Sequence, residues 1–342
     1  MRARLEDVCE RGSSNLRQAD VAGRSGDYPI YGASGYIGNV DFYHQELPYV
    51  AIVKDGAGIG RTVLLPVKSS VIGTMQYLLP KKNVLPEYLC YVVRYMHLEK
   101  YFSGATIPHI YFRDYKSEEF NLVPVDYQEE IVATLGKIEA IVAARQQQLQ
   151  KLDELVKARF IELFGDPELN PRGLPVLPWN AVFLTTTGKL DSNAMVENGR
   201  YPFFTCAKES YKIDSYAFDC EALLLAGNNA AGIYDVKHYK GKFNAYQRTY
   251  VLRLMNEKWS YILFKRQLED KLQYLQSQSK GTNTRYLTLG ILNELRFVVP
   301  PVAEQEQFAA FVEQTDKSKV AVQKALDEAQ LLFDSLMQKY FG

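Results

Sequence analysis

Pro124, Val125, Asp126, Tyr127, Gln128, Glu129, Glu130 and Ile131 open a long heptad-patterned stretch that closes with Leu163, Phe164 and Gly165. The reading recurs later: Pro301, Val302, Ala303, Glu304, Gln305, Glu306, Gln307 and Phe308 open a second stretch that closes with Tyr340, Phe341 and Gly342. A single offset of 177 residues carries Pro124 onto Pro301, Gln128 onto Gln305, Ala133 onto Ala310, Leu149 onto Leu326 and Gly165 onto Gly342, with no insertion or deletion. A free surface helix tolerates changes of length, so two helices of equal length point to a part whose length is used.

Working outward along the first copy, apolar residues fall at Ile131, Leu135, Ile138, Val142, Leu149, Leu152, Val156 and Leu163, with Arg145 and Arg159 filling the remaining places of a 4-3 alternation. This spacing predicts the narrow a/d seam of a coiled coil rather than a broad globular face. The second copy keeps the phase at Phe308, Val312, Val322, Leu326, Phe333, Leu336 and Tyr340, but Thr315, Lys319 and Ala329 stand on its seam and weaken it. A helix of about 37 residues is roughly 55 Å long, more than a small domain can cover. The economical solution is an antiparallel pair; the alternative is two long amphipathic helices, each packed on its own domain.

The chain of 342 residues, 47% of them apolar, suffices for two cores of ordinary size. Cys9, Cys90, Cys206 and Cys220 form no close pair, and there is neither an amino-terminal apolar run nor a membrane-length stretch. A soluble cytoplasmic protein with reduced thiols is expected. The net charge of zero is uneven: residues 166–303 carry 17 basic and 13 acidic groups, while residues 128–165 and 304–342 together carry 9 and 13. A local basic surface on the second globular segment is therefore permitted.

The order along the chain is globular segment, helix, globular segment, helix: residues 1–125, 126–165, 166–302 and 303–342. The two segments repeat an order of events. Tyr28 to Tyr31 matches Tyr201 to Phe204, and apolar strands at Tyr49 to Val53 and Ala222 to Ala226 each lead into a glycine-bearing turn. Strands follow at Met75 to Leu79 and Thr249 to Leu254, then helices over about Pro86 to Tyr101 and Glu257 to Leu275. A small polar loop comes next, Ser103 to His109 or Ser277 to Arg285, before a last strand at Phe120 to Val123 or Arg296 to Val299. The fold class expected is α+β, with two similar mixed domains in a pseudo-two-fold repeat.

Catalytic constellations are missing. No Asn/Asp-Pro-Pro-aromatic run serves adenine methylation, and no Gly-x-x-x-x-Gly-Lys-Ser/Thr cradle serves a nucleotide. Glu269, Asp270 and Lys271 have the Glu-x-Lys form of a metal-dependent nuclease but read better as a solvated helix face. His44, His97, His109 and His238 lack zinc-site spacing. Two similar units without a catalytic group suit binding or targeting.

The repeated helix openings and the run Ala158, Arg159, Phe160, Ile161, Glu162, Leu163, Phe164, Gly165, Asp166, Pro167 together resemble the specificity subunit of type I restriction-modification systems. So do the late loops, Gly104 to Ile110 and Gly281 to Arg285, and the stretch Tyr239, Lys240, Gly241, Lys242, Phe243, Asn244, which has no clear counterpart in the first segment. The resemblance covers essentially the whole chain. It implies that each globular domain is a target recognition domain reading one half of a bipartite double-stranded DNA site. The helix pair would set the gap, about one turn or 34 to 36 Å, and dock two methyltransferase subunits, with restriction and translocase subunits joining for cleavage. The chain itself would be non-catalytic and hold no cofactor, since methyl donor and nucleotide would belong to those partners.

Base reading needs groove-reaching donors and acceptors, and phosphate contact needs Lys and Arg. Candidates in the second segment are Lys237, His238, Tyr239, Lys240, Lys242 and Arg248, with Lys280, Asn283 and Arg285 from the late loop. In the first they are Lys54, Arg61, His109, Arg113 and Lys116. Two other readings remain: a non-DNA adaptor with two heads on a coiled-coil strut, and a fragment of a fused restriction or methylation enzyme.

Overall fold

The computed structural model describes residues 1–104 and 107–342; Ala105 and Thr106, within the first expected late loop, lie outside the described residues. Two compact units emerge, one formed by Met1–Gln147 with Val322–Gly342 and the other by Gln148–Ala321. The division falls inside the long helices, so each unit takes a segment of both.

The helices span Val125–Phe164 and Val302–Phe341, 40 residues each, so both their starts and their ends keep the 177-residue offset. Each starts directly after a proline, whose carbonyl accepts from the amide of Gln128 or Gln305 (3.0 and 3.1 Å). The first stops at Gly165, a left-handed residue (φ 79°) whose amide donates to the Ile161 carbonyl at 2.8 Å.

Within each unit the two helical segments run antiparallel. In the first, Ile131 and Leu135 share a core with Met337 and Phe341, while Val142 and Gln146 line one cavity with Gln330 and Phe333. In the second, Phe160 and Phe164 pack edge-on against Phe308 at 5.6 and 5.7 Å, and Asp153 pairs with Lys319 at 2.7 Å. The narrow seam expected from the heptads is not the whole apolar face. Phe160, Phe164, Met337 and Phe341, all off that seam, are buried because each unit's globular part packs on the helices there. Thr315 and Lys319 are accommodated too: the Thr315 hydroxyl donates to the Phe311 carbonyl, and Lys319 pairs with Asp153 and Asp316. Burial opposes the Lys319 charge, but those two carboxylates hold its pKa above the ordinary lysine value.

In the first unit a four-stranded sheet runs Cys9–Ser13, Met75–Pro80, Tyr49–Val53, Thr62–Leu65, beside a three-stranded sheet of Gly35–Val40, Tyr28–Gly32 and Ser70–Val71. The second unit merges the corresponding parts into six strands: Phe183–Thr187, Thr249–Leu254, Phe218–Ala226, Val236–Ala245, Tyr201–Phe204, Tyr211–Ile213. Every residue of Tyr49–Val53 is buried because both faces of the strand are covered. Val50 and Ile52 meet the helices, whereas Tyr49, Ala51 and Val53 fill a second core. Leu223 and Leu225 against Ala222 and Leu224 divide in the same way.

Backbone hydrogen bonds repeat between the units. Lys81 donates to the Val8 carbonyl and Met255 to that of Val182; Gly73 donates to Leu16 and Gln247 to Leu190. Residues so matched are 174 apart. Leu122 donates to Met1, and Val299 to Pro175, which joins an offset of 177 to one of 174. The second unit therefore takes up three extra residues between these regions, where the expected continuous helices are each broken in two. The pieces are Pro86–Tyr95 and Leu98–Tyr101 in one unit, interrupted at left-handed His97, and Tyr261–Asp270 and Leu272–Gln278 in the other.

The strand holding Tyr239 to Asn244 also gains the first-unit counterpart that the sequence did not show. Val236–Ala245 lies antiparallel to Phe218–Ala226, and its end runs parallel to Tyr201–Phe204. In the first unit those two jobs are split between Thr62–Leu65, beside Tyr49–Val53, and Ser70–Val71, parallel to Tyr28–Gly32. The intervening residues include Lys68 at φ 51°.

Gln128 and Gln305, both fully buried, fasten helix to domain. The Gln128 amide accepts from Leu85 N–H (2.9 Å) and donates to the Asn83 and Val123 carbonyls (3.0 and 2.8 Å). Gln305 accepts from Ser260 N–H (3.0 Å) and donates to the Pro300 carbonyl (2.8 Å). Leu85 and Ser260 are the N-caps of the internal helices, so each glutamine closes a helix start and the last strand together.

Candidate nucleic-acid interface

In each unit the glycine-bearing turn after the buried strand meets the late polar loop. The loops close identically: Ser103 and His109 exchange two backbone hydrogen bonds (both 2.8 Å), and Lys280 and Tyr286 exchange two (3.0 and 2.8 Å). The second residue must be glycine. Gly104 and Gly281 have φ of 98° and 97°, and a Cβ there would lie 2.4 Å from the Ile107 carbonyl oxygen or 2.2 Å from that of Thr284. Each loop is then seated on its turn, by Ile110 N–H donating to the Lys54 carbonyl and by Leu287 N–H donating to that of Gly227.

The side chains at the two tips differ. In the first unit His109 Nδ1 bonds Asp55 Oδ1 at 2.7 Å, and Lys54 lies 3.8 Å from the same carboxylate. The imidazole stacks on Tyr111 (6.3 Å between ring centres, 28°), and the Arg113 guanidinium covers Tyr111 at 4.8 Å while contacting Asp114 at 3.4 Å. Exposed Arg61 ends the turn, its amide donating to the Gly58 carbonyl. Lys116 is instead paired with Glu6 at 2.7 Å, on the short helix Leu5–Val8.

In the second unit Arg285 pairs through its backbone with Asn229, and the Arg248 carbonyl accepts from Gly227 N–H. Among the described residues Arg248, Lys280 and Arg285 have no carboxylate partner, and Asn283 is exposed on the loop. The remaining candidates disperse along Val236–Ala245 because a strand alternates its faces. Tyr239 is half-buried, its ring turned towards the core against Phe204 and Phe243. Lys237 is mostly buried, paired with Asp235 and donating to the Ala207 carbonyl. On the other face His238 and Lys240 both hold Glu221, at 2.9 and 3.0 Å, while Lys242 lies 4.7 Å over the Tyr216 ring. Burial works against the Glu221 charge, but hydrogen bonds from Lys240 and His238 keep its pKa below the ordinary carboxylate value.

Sequence reasoning missed Asp55, Tyr111, Asn229 and Tyr286 at these tips. The 177-residue offset already linked Ser103 with Lys280, Gly104 with Gly281 and His109 with Tyr286. Glu269 pairs with Lys265 and Asp270 with Arg266, as a charged helix face does. Among the described residues no His, Cys, Asp and Glu group could hold a metal ion, and no helix is long and apolar enough to cross a membrane.

The family model described as the type I restriction modification DNA specificity domain matches residues 1–154 and 182–329. The chain belongs to that family. The specificity subunit of the type I restriction enzyme EcoDI from Escherichia coli is 36% identical over 160 residues, covering 44% of this chain and 35% of that protein. The chain thus spans about a third of the length of this curated relative. In fold, it is similar to the S subunit of a type I restriction-modification system from M. genitalium, with a TM-score of 0.68 at 15% identity over 100% of this chain and 96% of that one. A chain from a structure described as the basis of complex assembly and conformational transition of the type I R-M system gives 0.52 at 15% identity, covering 99% and 97%. Both are likenesses of fold. The family model matches twice, once in each half of the doubled architecture seen here.

Proposed function

We propose that this chain is the non-catalytic targeting subunit of a type I restriction-modification complex, each unit reading one half of a bipartite DNA site. The observation that carries this is the pair of tips: one backbone closure, repeated, presenting different polar side chains. A repeated scaffold with divergent ends suits one operation on two targets. Methyltransferase subunits bound along the long helices would supply methyl transfer, and translocating nuclease subunits would supply cleavage.

Co-expression with its methyltransferase partner, followed by mapping of methylated sites, tests the reading. Two short sequences separated by a fixed unread gap are expected. Because the helices pair antiparallel, seven residues inserted into each, after Gln147 and after Ala321, should lengthen that gap and leave both half-sequences intact. An unchanged gap in a folded, active variant would remove the spacing role. The isolated chain should transfer no methyl groups, and methylation by it alone would favour a fused enzyme.

A further inference from the structure

The two loop glycines leave room for more than a turn. The position of a Cβ on Gly104 is 3.2 Å from His109 Cδ2, and that on Gly281 is 3.3 Å from Tyr286 Cδ1. In both units a flat ring therefore lies over the loop glycine, at matched residues 177 apart, with its backbone N–H and C=O consumed by the loop closure. Each ring is part exposed, and its free polar atom has no protein partner among the described residues.

The chemistry of those atoms is defined. A carboxylate only accepts, so the bond from Nδ1 to Asp55 places a proton on Nδ1, and whenever the ring carries that proton alone Nε2 is an acceptor. The Tyr286 hydroxyl both donates and accepts. An acceptor fits the exocyclic amino groups of adenine or cytosine on the major-groove edge, whereas a hydroxyl is less selective.

We propose that His109 and Tyr286 are the equivalent base-reading positions of the two units, His109 through Nε2 towards an exocyclic amino group and Tyr286 through its phenol. The assignment rests on the DNA-reading function proposed above and adds the residue in each unit that discriminates. Asp55 is a positioning residue that fixes the imidazole tautomer.

Ring-retaining substitutions isolate the polar atom. The full chain, assembled with its methyltransferase partner, would be presented with duplexes randomised in both half-sites. His109→Phe should relax preference at one base pair of a single half-site, by about ten-fold. Tyr286→Phe should do the same, less steeply, in the other half only. Asp55→Asn keeps an oxygen to accept from Nδ1 and should retain the preference, while Asp55→Leu should weaken it. Unchanged preferences in both Phe variants, or a uniform loss of affinity without change of preference, would overturn the proposal and leave the rings as loop supports. A wild-type complex lacking any two-part preference would instead sink the function on which it rests.

Discussion

The two units share a skeleton of hydrogen bonds and differ where that skeleton ends. Gln128 and Gln305 perform the same closure, and Gly104 and Gly281 the same turn, yet one tip carries an internal carboxylate and the other does not. Asp55 sits between His109 and Lys54 in the first unit, while among the described residues Arg248, Lys280 and Arg285 stand without carboxylates in the second. Scaffold groups satisfy one another inside the protein in both units, whereas the tip groups do so in the first unit and not in the second.

The strongest test of that division is to break the scaffold. Gln128→Leu preserves volume but strands the Leu85 amide and two carbonyls, and should cost the first unit about 3 to 5 kcal/mol. Gln305→Leu strands one amide and one carbonyl and should cost about 2 to 4. Urea unfolding followed by hydrogen exchange, read separately for each unit, should find the loss confined to the unit carrying the substitution. Equal losses in both units would mean that they do not close independently.

A smaller effect sharpens the contrast of tips. Replacing Arg248 and Arg285 together by Ala should lower the salt slope of DNA binding by up to ~2, against at most ~1 for Arg61→Ala in the first unit. A larger change from Arg61 would reverse the assignment of charge to the second tip. Smallest is a pH effect common to both units. Burial disfavours the charges of Glu118 and Glu221, yet bonds from Lys100 and Tyr101, or from Lys240 and His238, hold both pKa values below normal. Their stabilisation is fully present above the unfolded carboxylate pKa and is lost as pH falls through the depressed folded value. Denaturation curves measured down that acid limb should be flatter for Glu118→Gln and Glu221→Gln than for the parent.

The long helices were legible because their signal lies in side chains: a repeated apolar phase, a proline before and a glycine after. Gln128 and Gln305 were visible as matched residues, though not as clasps, since their partners are backbone groups distant in sequence. The repeat in the globular parts was legible in its order of elements, but its hydrogen-bonded links were hidden for the same reason. Its links are amide to carbonyl and so leave no mark in residue identity, and its offset slips from 174 to 177 through the broken internal helices. The basic stretch around Tyr239 reads in composition as one surface, but strand alternation divides it between two faces. His238, Lys240 and Lys242 occupy one face of a strand, and Tyr239 and Phe243 the other. The broader buried face at Phe160 and Met337 escaped because a heptad seam describes only helix against helix.

The closure of the late loop draws on main-chain atoms and a single glycine. Exposed residues enclosed by it, such as Thr282, Asn283 and Thr284, therefore contribute little to folding and are cheap to replace. Such a rim lets sequence drift there proceed without loss of the core. Under the DNA-reading function proposed above, new target preferences would then lie a few neutral steps apart, and the protein could diversify at its tips while remaining, thermodynamically, the same molecule.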